Sequence, residues 1–147
     1  MVFTPEVEYI PSKMVFALVA VAGCAAVKPD ESWRGTTNRH FEMRTYTAAE
    51  GKLAALHKRF REHTIGFFAK HGITVIGFWT PTEGDAAKNT LVYILAYPDK
   101  AEAEKRWKAF QADPEWVKAK AESERDGKLV DKVVSVFMSP TDFSPIR

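Results

Sequence analysis

The sequence predicts an α+β fold of the ferredoxin-like type, β-α-β-β-α-β with a four-stranded antiparallel sheet, and three observations carry that expectation. Strand-like alternation or short apolar runs occur at residues 39–47, 73–80, 90–97 and 132–138. Two helical stretches, each opened by a capping signal, lie after the first and third of them. Their order is that of the split βαβ motif. At 147 residues the chain has room for one domain with a real core and too little for two comfortable ones.

Each element has a local chemical cause. In the first strand Phe41, Met43 and Thr45 take one side, while Glu42, Arg44 and Tyr46 take the other. Thr47 with Glu50 three residues on reads as a capping box, so a helix is expected from there to about Lys70. Its apolar stripe is Leu53, Leu56, Phe60 and Phe67, and Gly72 supplies the left-handed cap. The runs "ITVIGFWT" and "TLVYILAY" are strands joined by a loop containing Pro, Gly and Asp, which suggests a long hairpin. Asp99 and Glu102 open the second helix, with Ala103, Trp107 and Phe110 expected inside. "DPEW" restarts helix with Pro114 at its first position, and Gly127 ends that piece. "KVVSVFM" is the last strand, and the tail "SPTDFSPIR" comes after it.

Two helices cover only one face of such a sheet, yet the middle strands are apolar on both. Ile73 and Val75 oppose Ile76 and Phe78, and Leu91, Tyr93 and Leu95 oppose Val92 and Ile94. The economical cover is a second copy of the chain, sheet against sheet about a two-fold axis. Glu42, Arg44 and Tyr46 are assigned to this uncovered face.

The N-terminal residues read differently. "MVFALVAVA", after Lys13 and before Gly23-Cys24, suits the apolar region of a signal peptide and is too short to span a bilayer. "VAGC" resembles a bacterial lipobox that would make Cys24 a lipidated N-terminus, with Met1 or Met14 as the start. Residues 1–24 are thus a signal or lipoprotein-type segment, 25–38 a linker and 39–147 the folded domain. Export, with a possible lipid anchor at the cell envelope, is the expected localisation, and the cytoplasm is the alternative. Membrane contact would come only through that lipid.

Charge gives little to a polyanion partner. Lys and Arg number 21 against 19 Asp and Glu, and the basic cluster "KRWK" comes after glutamates at helical spacing, so nucleic-acid binding is not expected. One cysteine allows no intrachain disulfide. His57, His63 and His71 do not converge, no metal motif appears, and no cofactor is implied. P-loop, dinucleotide turn and nucleophile elbow are all missing from the sequence.

The residues left to carry chemistry are few. His63 lies within the apolar stripe at α-helical spacing, where it is either a core histidine bonded to a carbonyl or a general base at a pocket edge. Arg44 and Tyr46 either pair with neighbours or orient an anion or carbonyl. Trp79, Tyr93, Trp107 and Trp116 are core or interface rings, or the wall of a site for an apolar ligand.

The "RTYT…GK" opening, the "HG…GFW" strand start and the "W..F..DPEW" helix pair, taken together over about residues 40–146, resemble the NIPSNAP family. That resemblance implies the dimeric α/β-barrel superfamily, which includes cofactor-independent monooxygenases and haem-degrading enzymes. The NIPSNAP branch has no settled reaction, and its animal members are associated with mitochondria and vesicle traffic. A signal-like N-terminus departs from that mitochondrial setting. Fold transfers with such a likeness and chemistry does not.

Three functions are expected. The first is a homodimeric binding module for a small apolar or aromatic molecule, with Arg44, Tyr46, His63 and Trp79 at the site. The second is a monooxygenase- or isomerase-type enzyme with His63 as base, Arg44 and Tyr46 stabilising an enolate-like oxygen. The third is a scaffold without ligand. A filled interior with Arg44 paired to Glu42 or to a partner carboxylate would remove the first two.

Overall fold

In a computed structural model, which describes residues 39–146, four antiparallel strands lie in the order β2-β3-β1-β4. The lipid-acceptor candidate Cys24, the signal-type segment 1–24 and the linker 25–38 lie outside the described residues. β1 (His40–Ala48) and β3 (Thr90–Tyr97) form the centre, with β2 (Thr74–Trp79) and β4 (Val130–Met138) at the edges. This is the ferredoxin-like arrangement expected from the element order.

The first helix departs from expectation at its start and in its middle. Thr47 does not cap it, because β1 continues through Thr47, which pairs with Thr90 and Lys132. Two ladders of backbone hydrogen bonds outweigh one side-chain cap. The helix begins instead at α1 (Leu53–Arg59), after a turn in which Gly51 takes φ +67°. It then widens into a π-helical turn (Phe60–Thr64) and continues as α2 (Ile65–Lys70), with helical backbone angles at both junctions. The extra residue of a π-turn rotates the rest of the helix about its axis. Leu56, Phe60, Thr64 and Phe68, four apart, are therefore buried along with Arg59, and Phe68 takes the place expected for Phe67. The buried Thr64 hydroxyl donates to the Arg59 carbonyl, five residues back, at 3.4 Å.

The helix stops as the sequence indicates. Gly72, at φ +68°, reverses the chain, and the Ile73 amide donates to the Phe68 carbonyl at 2.8 Å. A short helix, α3 (Ala86–Asn89), sits in the β2–β3 connection. After β3, Asp99 accepts from the Glu102 amide at 2.8 Å and opens α4 (Lys100–Ala112). Asp113 accepts from the Glu115 amide at 3.0 Å, with Pro114 first in α5 (Pro114–Ser123).

Asp113 is more than a cap. Its carboxylate also meets Lys70 at 2.9 Å and His71 at 2.8 Å, and these two partners, Lys70 foremost, hold the carboxyl well below the usual carboxylate range. A carboxyl with a depressed folded pKa stabilises the fold above its unfolded value, about 3.9, and loses that contribution as pH falls below it. Asp113→Asn, which keeps a capping oxygen, should therefore be less stable than the wild type at neutral pH. The gap should close in acid, and should be small because Lys70 is half exposed. Thermal melts across pH check this: a gap that widens in acid would contradict it.

Phe60, Phe68, Tyr93 and Phe110 form the middle of the core, with ring centroids of Phe60–Tyr93 at 5.3 Å and Phe68–Phe110 at 5.1 Å. β2 carries a bulge between Val75 and Gly77, so Phe78 comes to the same side as Val75 and packs on Phe60 and Tyr93. The simple alternation, which set Val75 opposite Phe78, fails there for that reason.

The two faces of β1 are the reverse of the expectation. Glu42, Arg44 and Tyr46 look toward the helices, where Arg44 lies 3.9 Å from the Trp107 ring centroid and Tyr46 meets Phe60 edge-on at 5.9 Å. Met43 and Thr45 register with Ile94, Val92, Val136 and Val134 on the side that no helix of the described residues covers, the helix-free face. Burial of a charged strand face is possible because its charges are paired: the Glu42 carboxylate accepts from Arg44, from Ser135 at 2.6 Å and from Tyr97 at 3.2 Å. The helix-free face is left apolar, and Trp79, 50% exposed, lies across Gly77 on it. A side chain at Gly77 would collide with that indole ring.

Candidate functional site

Between β1, β4 and the two helices α4 and α5 the described residues leave a cleft of about 390 Å³. Ligand pockets run from about 300 to 1,000 Å³. β1 contributes Arg44 and Tyr46, the end of α1 contributes Arg59, and α4 contributes Trp107, Phe110 and Gln111. Trp116 and Lys120 come from α5, Glu124 caps its end, and Lys128, Val130 and Val133 come from the approach to β4 and its first half.

The inner wall is aromatic, and two arginines stand against it, with Gln111, Lys120, Glu124 and Lys128 completing the polar lining. Trp107 and Trp116 both abut Phe110, with centroids at 5.2 and 4.5 Å, so three rings run in a row. Each indole carries a guanidinium: Arg44 over Trp107 at 3.9 Å and Arg59 over Trp116 at 5.8 Å. Arg59 is 5% exposed and donates to Glu124 at 2.8 Å. The Nε–H groups of Arg44 and Arg59 have no acceptor among the described residues, and the Tyr93 hydroxyl is wholly buried beside Tyr46 and Arg44.

These surroundings fix the protonation states. Burial works against the Arg44 charge, but Tyr46, Tyr93 and Glu42 more than offset it and hold its pKa above the ordinary arginine value. Burial, then Tyr46, pushes the Tyr93 phenol well above its ordinary value, and Tyr97 is raised by burial and then by Glu42. Both tyrosines stay neutral phenols, each with one proton to donate. Around the cleft the groups can bind an anion or polarise an oxygen. Among the described residues no three His, Cys, Asp or Glu side chains gather to hold a metal ion.

Four of the residues singled out in the sequence meet here: Arg44, Tyr46, Trp107 and Trp116. Tyr93 lies in the core beside them, 5.3 Å from Tyr46 ring to ring. His63 and Trp79 are elsewhere. His63 sits half-buried in the π-turn and is absent from the lining of the cleft, because the widened turn gives its place on the inner face to Thr64. Trp79 stands at the edge of the helix-free face with Thr80, whose hydroxyl lies 3.4 Å from His57 Nε2. Of the two conditions that would remove a ligand site, Arg44 does pair with Glu42, but the space beside it stays open.

Sequence reasoning missed Arg59 and Glu124. Arg59 was legible in principle, three residues from Leu56 and next to Phe60 on the buried stripe. A long basic side chain there is read by default as reaching for solvent.

The NIPSNAP family model matches residues 41–145. Similar solved structures include a NIPSNAP family protein with unknown function from Agrobacterium tumefaciens, at 25% identity and TM-score 0.66, covering 77% of this chain and 97% of that one. An uncharacterized NIPSNAP domain protein from Burkholderia xenovorans is 26% identical with TM-score 0.62, covering 72% of this chain and 98% of that one. SnoaB, a cofactor-independent oxygenase from Streptomyces nogalater, is 17% identical with TM-score 0.50, covering 74% of this chain and 99% of that one, a likeness of fold alone. No curated protein matches the chain.

Proposed function

The chain belongs to the NIPSNAP family, and from that premise we propose that it is a homodimeric binding protein whose helix–sheet cleft takes a small aromatic molecule. The observation that carries this reading is the unfilled space of about 390 Å³ against the row Trp107, Phe110, Trp116. Phe110 and Trp116 are almost wholly buried, so the row gives the cleft a firm apolar wall, and the guanidinium and phenol groups that line it orient what enters. Pairing of two chains is supported by the helix-free face, where Trp79, Val134 and Val136 are each more than 40% exposed on one apolar surface. The enzyme reading needs a base at the cleft, and His63, its candidate, does not line it. Binding without turnover is therefore the better-supported function.

Native mass spectrometry of the full chain from its own host, together with tryptophan fluorescence, tests the reading. The expected result is a dimer mass, a retained small molecule or saturable quenching by a bicyclic aromatic, and loss of that quenching in Trp107→Leu. Quenching that persists unchanged in Trp107→Leu and Trp116→Leu would place binding elsewhere. A bare chain that no bicyclic aromatic quenches would end the proposal.

A further inference from the structure

We propose that the aromatic molecule held in the cleft carries a carboxylate, and that Arg59 is the residue that recognises it, with Arg44 beside it. The inference rests on the cleft being a ligand site at all and specifies the chemistry of what enters. Arg59 is the departure from ordinary design that calls for explanation. It is a guanidinium with five N–H donors, 5% exposed, on the inward side of a helix whose other inward residues are Leu56 and Phe60. The described residues give it one ion-pair partner, Glu124 at 2.8 Å, which is itself partly exposed, and leave its Nε–H without an acceptor. Burying a cation so incompletely paired costs stability unless something else completes it.

The other side chains point the same way. Arg44, which lines the same cleft, likewise has an Nε–H without an acceptor among the described residues. The lining carries Arg44, Arg59, Lys120 and Lys128 against Glu124. Glu42, behind Arg44, is already shared with Ser135 and Tyr97. The cleft is thus short of negative charge, since what enters it meets four cations and one carboxylate. A carboxylate fits because its two oxygens match the paired N–H groups on one edge of a guanidinium. Arg59 lies over Trp116 at 5.8 Å, and Trp116 continues into Phe110 and Trp107, so an aromatic ring seated in the cleft against that wall would present its carboxylate to Arg59.

Titration calorimetry on the full chain with 1-naphthoate and its neutral isostere 1-naphthamide tests this. The expected result is a preference for the carboxylate of about tenfold or more, as a charge-assisted bidentate pair gives. Arg59→Met should bring the affinity ratio of naphthoate to amide to about one, in protein whose circular dichroism is that of the wild type. Glu124→Gln, at the partly exposed end of α5, keeps the test decisive if Arg59→Met does not fold. Removing the rival carboxylate should raise the affinity ratio of naphthoate to amide about threefold. Equal affinity of the two probes in the wild type overturns the carboxylate and leaves the cleft reading intact. A carboxylate preference that neither variant moves overturns the role of Arg59. Binding of neither probe counts against the cleft reading itself.

Discussion

Glu42→Ala should lower the free energy of unfolding by about 3–5 kcal/mol, the loss typical when one partner of a buried ion pair is removed. Glu42 is 3% exposed, and its carboxylate is the common acceptor for Arg44, Ser135 and Tyr97. Deleting it strands a guanidinium that is largely enclosed by Trp107 and Tyr46. Two hydroxyl donors from other strands lose their acceptor as well. Urea unfolding monitored by circular dichroism measures the effect, with an unchanged slope expected if only the native state is affected. Replacing both charges by apolar residues, Glu42→Leu with Arg44→Met, should recover most of the loss, since a well-packed apolar pair often equals a buried ion pair. A single-variant loss under about 1 kcal/mol would mean that Arg44 finds solvent when released.

Phe68→Ala should cost a similar amount, about 3–5 kcal/mol, through the cavity it leaves. Its ring is 1% exposed and lies between Tyr93, Trp107 and Phe110, at centroid distances of 6.1, 5.8 and 5.1 Å. The informative comparison is with its neighbour. Phe67 is half-buried against Trp116 at 5.8 Å, so Phe67→Ala should cost distinctly less. An uninterrupted α-helix would reverse that order, since α-helical spacing from Phe60 leads to Phe67. Measured stabilities of the two variants therefore report directly on whether the π-turn exists in solution.

What could be read from the residues alone was whatever their neighbours in sequence decide. Asp99 before Glu102, Asp113 before Pro114, and Gly72 after a helical run are local signals, and each marks a helix end in the structure. The element order came from them, and with it the fold. Thr47 and Glu50 made an equally local signal that lost, because strand pairing with Thr90 and Lys132 competes for the same stretch. The cleft was half legible. Arg44, Tyr46, Trp107 and Trp116 were singled out by type, but Arg44 and Tyr46 were assigned to the wrong side of the sheet. The sides depend on Glu42 finding Tyr97 and Ser135, 55 and 93 residues away. No pattern within β1 announces those partners. Arg59 and Glu124, 65 residues apart, escaped for the same reason, as did the pairing of His71 with Asp113.

The π-turn at Phe60–Thr64 sets the calibre of the cleft as well as the phase of a helix. By rotating Phe67 off the sheet and onto Trp116, it turns a would-be core ring into a buttress behind the cleft wall. One residue of helical winding thus acts as a shim between the first helix and α5. Winding those same residues as regular α-helix, with none removed, would draw Phe67 inward, withdraw the buttress, and let the wall carrying Trp116 settle toward the sheet.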